Sequence, residues 1–380
     1  MTELSLEQRA MRDMARDFAK AEIAPFASEW DRTETVPLDT VYKLGSLGLF
    51  GISIPGEWGG TDADFMSYVI VTQELAYGDA GICNMINATN SFALKVRDFG
   101  TDSQKERFLK PVAEGKHIAC MLLTEPGAGS DAAAIKTRAE KRGDRYVING
   151  IKCFITSGRS CDAAVVLAVT DPSAGKRGIS AFLIHTKNKA GYRVSRVERK
   201  LGHRTNDTCE IVLESLEVGA EDMLGNLGDG LKIAFSGLEA GRIIVAAQSV
   251  GVARAALDAS LKYAVERKTF GKRIFDHQAI AFMLADMATE IEVAQQMCLH
   301  AAALRQSQMR CIKEASIAKL FASQMCERVC SSAIQIHGGY GFVEGFSVEK
   351  YYRDCRVFQI YDRTNEIQKL VISRELAAEH

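Results

Sequence analysis

All six prolines of this 380-residue chain, Pro25, Pro37, Pro55, Pro111, Pro126 and Pro172, lie in its first 172 residues. Proline lacks a backbone donor and clashes with the carbonyl four residues back, so it ends or kinks a helix. The remaining stretch of more than 200 residues is therefore free to form long unbroken helices. A chain this long exceeds one hydrophobic core, so two or three domains are expected. Lys and Arg (47) balance Asp and Glu (48) to a net charge of −1, which leaves no electrostatic footprint for nucleic acid or an anionic membrane. No apolar run in the sequence approaches the roughly 20 residues of a membrane-crossing helix. The opening residues show neither a secretory h-region nor an Arg-rich transit pattern, so the expected location is the cytoplasm, or the mitochondrial matrix for a trimmed form. The ten cysteines are scattered through apolar runs without a CxxC pair or a Cys/His cluster, and are read as reduced, buried thiols with no metal site.

Periodicity divides the chain into three. Residues 1–116 read as helices joined by short loops, with Leu6, Met11, Met14, Ala15 and Phe18 on one face of the first. In 117–224 the period changes to β-type runs (HIACMLLTE, RYVINGIKCFIT, AVVLAVT, GISAFLIHT, GYRVSRVE, CEIVLESLEV), with KRGDRYVING as a hairpin. No helix-length segment separates these runs, so an antiparallel barrel or sandwich is expected rather than βαβ units. From 225 to 380 the helical period returns in three long segments, beginning at Leu231, His277 and Cys311, whose lengths suit a bundle and, for any apolar face left over, a second subunit.

Five motifs have residue types suited to chemistry. TEPGAGSDAA (124–133) follows a β-type run, and its small residues can expose backbone N–H groups to an anionic or carbonyl-rich ligand; a plain turn is the simpler reading. It lacks the Lys and spacing of a phosphate-binding P-loop, and no GxGxxG opens a helix. KCFITSG (152–158) offers an aromatic and two hydroxyls that could stack on and bond a flat heterocycle, or be an ordinary strand. VERKTFGKRIFDHQ (265–278) breaks a helical pattern with basic residues, either a solvated junction or a phosphate clamp around Arg267. QIHGGYGF (335–342) has more glycine than a helix stop needs, which suggests close approach of a ligand or backbone. His337 within it has no second metal-ligand neighbour in sequence. QIYDRTNEIQ (359–368) places Asp362 and Arg363 before a final helix capped by Thr364, and a salt-bridged or capping Asp is the simple account.

In identity, order and spacing these motifs together resemble the acyl-CoA dehydrogenase family over essentially the whole chain. The resemblance implies an α+β fold: an N-terminal helical domain, a central antiparallel β-barrel and a C-terminal four-helix bundle, in a homotetramer built from dimers. It implies FAD between the sheet and the bundle, with Met121, Leu123, Thr124, Gly129, Ser130, Phe154 and Thr156 facing the flavin side. Arg267, Thr269, Phe270, His277, Gln278, Gln335, Gly338 and Gly339 would hold the diphosphate and adenine half across a dimer, and Thr364 and Glu366 complete the cofactor set. Ser130, Glu239, Arg242 and Arg363 are the implied substrate contacts, Glu239 and Arg242 lying on the helix that lines CoA. The implied chemistry is α,β-dehydrogenation of an acyl-CoA thioester: a carboxylate takes the α proton, the β hydride passes to flavin N5, and electrons leave to an electron-transferring flavoprotein.

The family motif at 361–364 normally reads YEGT, with Glu as base; here it reads YDRT, so Asp362 takes that position and Arg363 replaces a glycine. The family's other base position is Gly241 here. An Asp carboxylate is withdrawn by about 1.5 Å, one carbon–carbon bond, and misplacement of about 1 Å can cost roughly 10²-fold in rate. A short, branched or alicyclic acyl group such as cyclohexanecarboxyl-CoA is therefore expected to suit Asp362 better than a straight chain. A nearby Arg363 would lower the basicity of Asp362. Asn87 and Asn90, in a segment placed in the acyl pocket wall, are expected to give it polar character. A nitroalkane-oxidase-like flavin oxidase, also using Asp362, and an inactive flavin- or CoA-binding partner are the alternatives.

Overall fold

The computed structural model describes residues 4–379. The first helical group comprises α1 (Leu6–Phe18), α2 (Ala27–Arg32), α3 (Leu38–Ser46), α4 (Phe65–Gly78), α5 (Ala80–Phe99), α6 (Asp102–Gln104) and α7 (Lys110–Ala113). Helix α1 opens with a reciprocal capping box between Ser5 and Gln8. Met11, Met14, Ala15 and Phe18 pack inward as expected, but Leu6 is 81 % exposed because it lies in the first turn, ahead of the contact with α4.

The sheet contains β1 (Ala119–Leu122), β2 (Arg138–Arg142), β3 (Arg145–Thr156), β4 (Ala163–Val169), β5 (Ile179–His185), β6 (Tyr192–Val197), β7 (Thr208–Gly219) and β8 (Met223–Leu224), ordered β6-β7-β3-β2-β4-β5-β8. The expected hairpin forms between β2 and β3 around Gly143, which has φ +63°. The sheet is mixed rather than wholly antiparallel: β1 runs parallel to β4, and β2 touches β4 in parallel as well. Parallel neighbours need a crossover, and here the loop after β1 together with the β2–β3 hairpin supplies it. Alternation of side chains reports strand faces but not strand direction, so the sequence pattern could not reveal this.

The second helical group comprises α8 (Gly230–Phe235), α9 (Leu238–Glu266), α10 (Gln278–Gln306), α11 (Ile312–His337), α12 (Gly339–Phe342), α13 (Val348–Cys355) and α14 (Asn365–Ala378). The first long segment is broken, contrary to the sequence expectation, at Ser236–Gly237, where Gly237 adopts φ +73° and the Ser236 hydroxyl caps the Ile233 carbonyl. Helices α9, α10, α11 and α14 form the bundle, and small residues such as Ala246, Ala253, Ala318 and Ala322 let its helices approach closely. A Cβ on Gly251 would lie 2.3 Å from the Gln73 carbonyl, so glycine is required where α9 crosses α4. The stretch Gly230–Glu266 is long and apolar enough to cross a membrane, yet 78 % of its most apolar window is buried within the fold, the position of a core helix.

Asp79, at the corner between α4 and α5, joins all three parts. Its carboxylate caps Ile82 N, accepts from Thr205 Oγ1 in the sheet region and pairs with Lys350 of α13 at 2.7 Å. Lys350 also pairs with Asp354, which accepts from His203 N. Burial would strip charge from Lys350, but its two carboxylates outweigh burial and hold it ionised. All ten cysteines are free and buried. Cys326, Cys330 and Cys355 nonetheless converge, their sulfurs within 4.8 Å of one another, because α13 folds back onto α11.

Candidate active site

The loop after β1 is held at both ends by a buried ion pair. Lys152 of β3, fully buried, donates to Glu125 Oε1 at 2.8 Å and to the Leu123 carbonyl at 3.2 Å. Glu125 in turn accepts from Lys136 N and Thr137 N. This clamp keeps Gly129 and Ser130 outward, and a Cβ on Gly129 would meet nothing within 4 Å. Met121, Leu123 and Thr124 lie half-buried along the same edge, with the Thr124 carbonyl accepting from Cys153 N. A bulge in β3 between Lys152 and Ile155 turns Phe154 to φ +57° and leaves it 66 % exposed beside this edge. Bulges re-aim side chains in this way. Thr156 is half-buried, its hydroxyl accepting from Asn84 of α5.

A second pocket of about 480 Å³ is lined by Arg267, Thr269, Gly338 and Gly339, with Tyr263, Ile336 and Tyr340. Two of its elements follow from local sequence. The RKTFGK segment forms a hairpin, β9 (Lys268–Thr269) and β10 (Lys272–Arg273), whose two turn residues Phe270 and Gly271 both have positive φ, as a type I′ turn demands. Beyond α11, Gly338 at φ +59° reverses the chain, and Cβ atoms on Gly338 or Gly339 would meet open space. His277 bonds Thr269 through its ring, and Gln278 opens α10. Phe270 is 96 % exposed, and Gln335 faces outward without lining the pocket. A glycine rim beside an arginine and an exposed aromatic fit the phosphate and ring parts of FAD.

Asp362 and Arg363 form a strained turn, with φ +48° and +75°. L-residues pay roughly 1–2 kcal/mol each in this region, and neighbours must impose it. Two side-chain donors do so. Lys319, fully buried on α11, donates to the Arg363 carbonyl at 2.9 Å and to Asn365 Oδ1 at 2.9 Å. Gln368 Nε2 donates to the carbonyls of Asp362 and Arg363. Thr364 stands at the N-cap position of α14 as expected, but its hydroxyl bonds Glu366 instead of capping the helix backbone.

Asp362 is exposed to water, although protein crowds the rest of its carboxylate, which has no hydrogen-bond partner among the described residues. Its Oδ2 lies 3.1 Å from where a Cβ on Gly241 would stand. Burial raises its pKa above the ordinary carboxylate value, and Lys95, Lys319 and Arg242 pull it only partly back. Arg363 has no part in this, contrary to the sequence expectation. Its guanidinium points away, donating to the Ser130 carbonyl at 3.0 Å and lying 4.5 Å over the Phe235 ring. Arg363 thus ties the glycine-rich loop to the Asp362 turn.

Arg242 is buried against Ser316, whereas Glu239 faces Arg305 at 3.5 Å in a cleft of about 550 Å³ that also includes Leu94, Arg97 and Phe65. Asn87 and Asn90 do not give the expected polar wall. Asn90 bonds Leu49, Ile86 and Ile52, and Asn87 bonds Thr72 and Cys83, so both serve the core. Sequence reasoning missed Lys152, Glu125, Lys319 and Lys95; a charged residue inside an otherwise apolar periodic run was the available signal.

Three family models match the chain in succession: the N-terminal domain of acyl-CoA dehydrogenase at residues 5–116, the middle domain at 120–216 and the C-terminal domain at 228–377. The chain is 44 % identical to the caffeyl-CoA reductase–Etf complex subunit CarC of Acetobacterium woodii, over 97 % of this chain and 98 % of that one. It is 41 % identical to a short-chain-specific acyl-CoA dehydrogenase of Clostridium acetobutylicum, over 98 % of both. Its fold superposes on butyryl-CoA dehydrogenase from Megasphaera elsdenii with a TM-score of 0.96 at 39 % identity, covering 99 % of this chain and 100 % of that one. The chain belongs to the acyl-CoA dehydrogenase family of FAD-dependent oxidoreductases, which act on the CH–CH bond of acyl-CoA thioesters.

Proposed function

We propose that Asp362 is the base of this acyl-CoA dehydrogenase, removing the α proton of a short, branched or alicyclic acyl-CoA, with cyclohexanecarboxyl-CoA as the reference substrate. The observation that carries the reading is the Asp362 carboxylate itself: unbonded, raised in pKa and held water-accessible on a clamped, strained turn. A base that gives up none of its lone pairs to the protein is free to meet a substrate proton, and a raised pKa increases its proton affinity. In the reverse direction the same carboxyl returns the proton, so reduction of an enoyl-CoA needs no further residue.

Bound FAD supplies the hydride acceptor. The residues suited to hold it are Thr124, Gly129, Phe154 and Thr156 near its reactive end, and Arg267, Thr269, Gly338 and Gly339 at its phosphate and adenine end. Exposed apolar surface around the second pocket, with Phe270 at 96 %, Phe342 at 84 % and Tyr340 at 49 % exposure, supports closure by a second subunit and, with the family, a homotetramer. An electron-transferring flavoprotein as redox partner is supported by the relative named as an Etf-complex subunit.

Anaerobic titration of the flavin-loaded enzyme with linear, branched and alicyclic acyl-CoAs tests the reading. Flavin bleaching that favours ring-bearing or branched substrates and disappears in Asp362→Asn is the expected result. Preference for straight chains would remove the ring proposal, and unchanged bleaching in the variant would remove Asp362 as base. Rapid oxygen consumption with nitroethane, without reduction by any acyl-CoA, would favour the nitroalkane-oxidase alternative.

A further inference from the structure

Cys326, Cys330 and Cys355 bring three sulfurs within 4.8 Å of one another where the end of α13 meets α11. Cys326 and Cys330 stand four residues apart on α11 and so share a face, and Cys355, the last residue of α13, completes the group. All three are fully buried. A single buried thiol such as Cys298 is an ordinary small apolar residue, but three that converge are a soft donor set. Sulfurs about 2.3 Å from a common centre stand at most about 4 Å apart in a three-coordinate group, so closing onto an ion asks less than about 1 Å of movement from the present spacing.

Ligand number and charge select the ion. No fourth His, Cys, Asp or Glu donor joins the group among the described residues, whereas a structural zinc site takes four. Three thiolates carry three negative charges, so a monovalent ion would leave two and a divalent ion one in a place without water, where an uncompensated charge is costly. The charged neighbours in sequence do not offset this. They are carboxylates, Glu327 beside Cys326 and Asp354 beside Cys355, and each faces a cation of its own, Arg356 at 3.8 Å and Lys350 at 2.6 Å. A trivalent ion leaves the group neutral.

We infer that Cys326, Cys330 and Cys355 form a binding site for a trivalent, three-coordinate thiophilic metalloid, with arsenite as the species that fits, and that filling it slows the enzyme. Arsenous acid is uncharged at neutral pH, which suits entry into an apolar interior. Binding is an exchange without redox change: three S–H and three As–O bonds break, three As–S and three O–H bonds form, and three waters leave. Cys355 is the thiol best able to start it, since Cys326 and Cys330 beside it hold its pKa below the usual thiol range. The rate effect has a path through the chain. Helix α11 carries Lys319, which clamps the Arg363 carbonyl, and beyond α13 the chain runs from Cys355 past the buried Phe358 to Asp362, seven residues on. Drawing the sulfurs together shifts the end of α13 against α11, and a shift of about 1 Å in a base can cost roughly 10²-fold in rate. This part of the inference rests on Asp362 being the base; the binding itself does not.

The test uses the flavin-loaded enzyme, incubated anaerobically with arsenite and then freed of excess. One arsenic per chain is expected, with X-ray absorption showing three sulfur and no oxygen neighbours, and with flavin bleaching by a good acyl-CoA substrate slowed about tenfold or more. Cys326→Ala and Cys355→Ala are expected to bleach at the wild-type rate, to lose most of the retained arsenic and to keep their rate in its presence. Cys298→Ala, which removes a lone buried thiol of α10, is expected to behave as wild type. An alanine variant that does not hold flavin is replaced by Cys326→Ser or Cys355→Ser, read in the same way. No retained arsenic, an oxygen neighbour on the arsenic, or retention unchanged in both cysteine variants overturns the site. Zinc held at these cysteines more tightly than arsenite overturns the choice of a trivalent ion. Bound arsenic that leaves bleaching unchanged, in an enzyme that Asp362→Asn does slow, overturns the rate effect; if Asp362→Asn bleaches at the wild-type rate, it is the base reading that has failed.

Discussion

The ammonium of Lys319 and the backbone carbonyl of Arg363 meet at 2.9 Å, 44 residues apart in sequence, and this bond holds the strained turn that aims Asp362. The lysine is fully buried, and burial brings its pKa down to about 8. Lys319→Met keeps most of the volume and removes two hydrogen bonds of one ammonium, each worth about 1.5–3 kcal/mol if charged. Lower thermal stability is expected, together with a fall in kcat of about 10²-fold, because a shift of about 1 Å in the carboxylate is enough to produce it. Stopped-flow flavin bleaching and thermal unfolding measure both.

Asp362→Asn is expected to slow bleaching by about 10²–10⁴-fold, the range of a general base, with flavin retained. In the wild type, kcat/KM is lost as pH falls through the Asp362 pKa, and burial places that limb above the ordinary carboxylate value. Stability moves the other way. An acid whose pKa is raised on folding favours the native state while protonated, and it begins to cost stability as pH rises through the carboxylate range. Asp362→Asn therefore unfolds at a higher temperature than wild type at pH 7, and the difference closes below about pH 4. Unfolding scans at the two pH values check the sign.

What the sequence left hidden has a common physical form. The break in the helical pattern at RKTFGK, the surplus glycines at 338 and 339 and the place of Asp362 and Arg363 ahead of the last helix were legible because motif spacing is local, whereas the hairpin and the left-handed turn they form were not read. Lys95, Lys152 and Lys319 were not, since a periodic pattern assigns lysine to the surface. Each is buried by a partner the pattern cannot locate: Ser91 one turn away, Glu125 across a loop and Arg363 in another helix's approach. The direction of Arg363 was hidden for the same reason. Its charge next to Asp362 in sequence suggested pairing, whereas two consecutive left-handed residues throw it toward Ser130.

That geometry makes Arg363→Gly informative. Glycine adopts φ +75° at no steric cost, so the turn loses roughly 1 kcal/mol of strain. It also loses the tie to Ser130 and the stack on Phe235. Unfolding temperature is expected to hold or rise slightly while KM for acyl-CoA increases, with kcat changed less than KM. Steady-state kinetics with a good substrate separates the two; an unchanged KM would mean that the loop is held without Arg363.

The Glu125–Lys152 pair sets the stability of the cofactor-side loop, and Lys152→Met removes one partner of a buried ion pair. That leaves an uncompensated carboxylate, at a cost of about 3–5 kcal/mol. Despite its burial, Glu125 is held below the usual carboxylate range by Lys152 and by its bonds from Thr137 and Lys136. A depressed acid contributes stability above its unfolded pKa and loses it as pH falls through the folded one. Wild type is therefore expected to lose stability on acidification below about pH 4. In Lys152→Met the Glu125 pKa rises, so the carboxyl protonates earlier and the gap to wild type narrows as pH falls. Adding Glu125→Gln to Lys152→Met removes the stranded charge and recovers part of the loss at neutral pH, which unfolding scans and flavin content measure together.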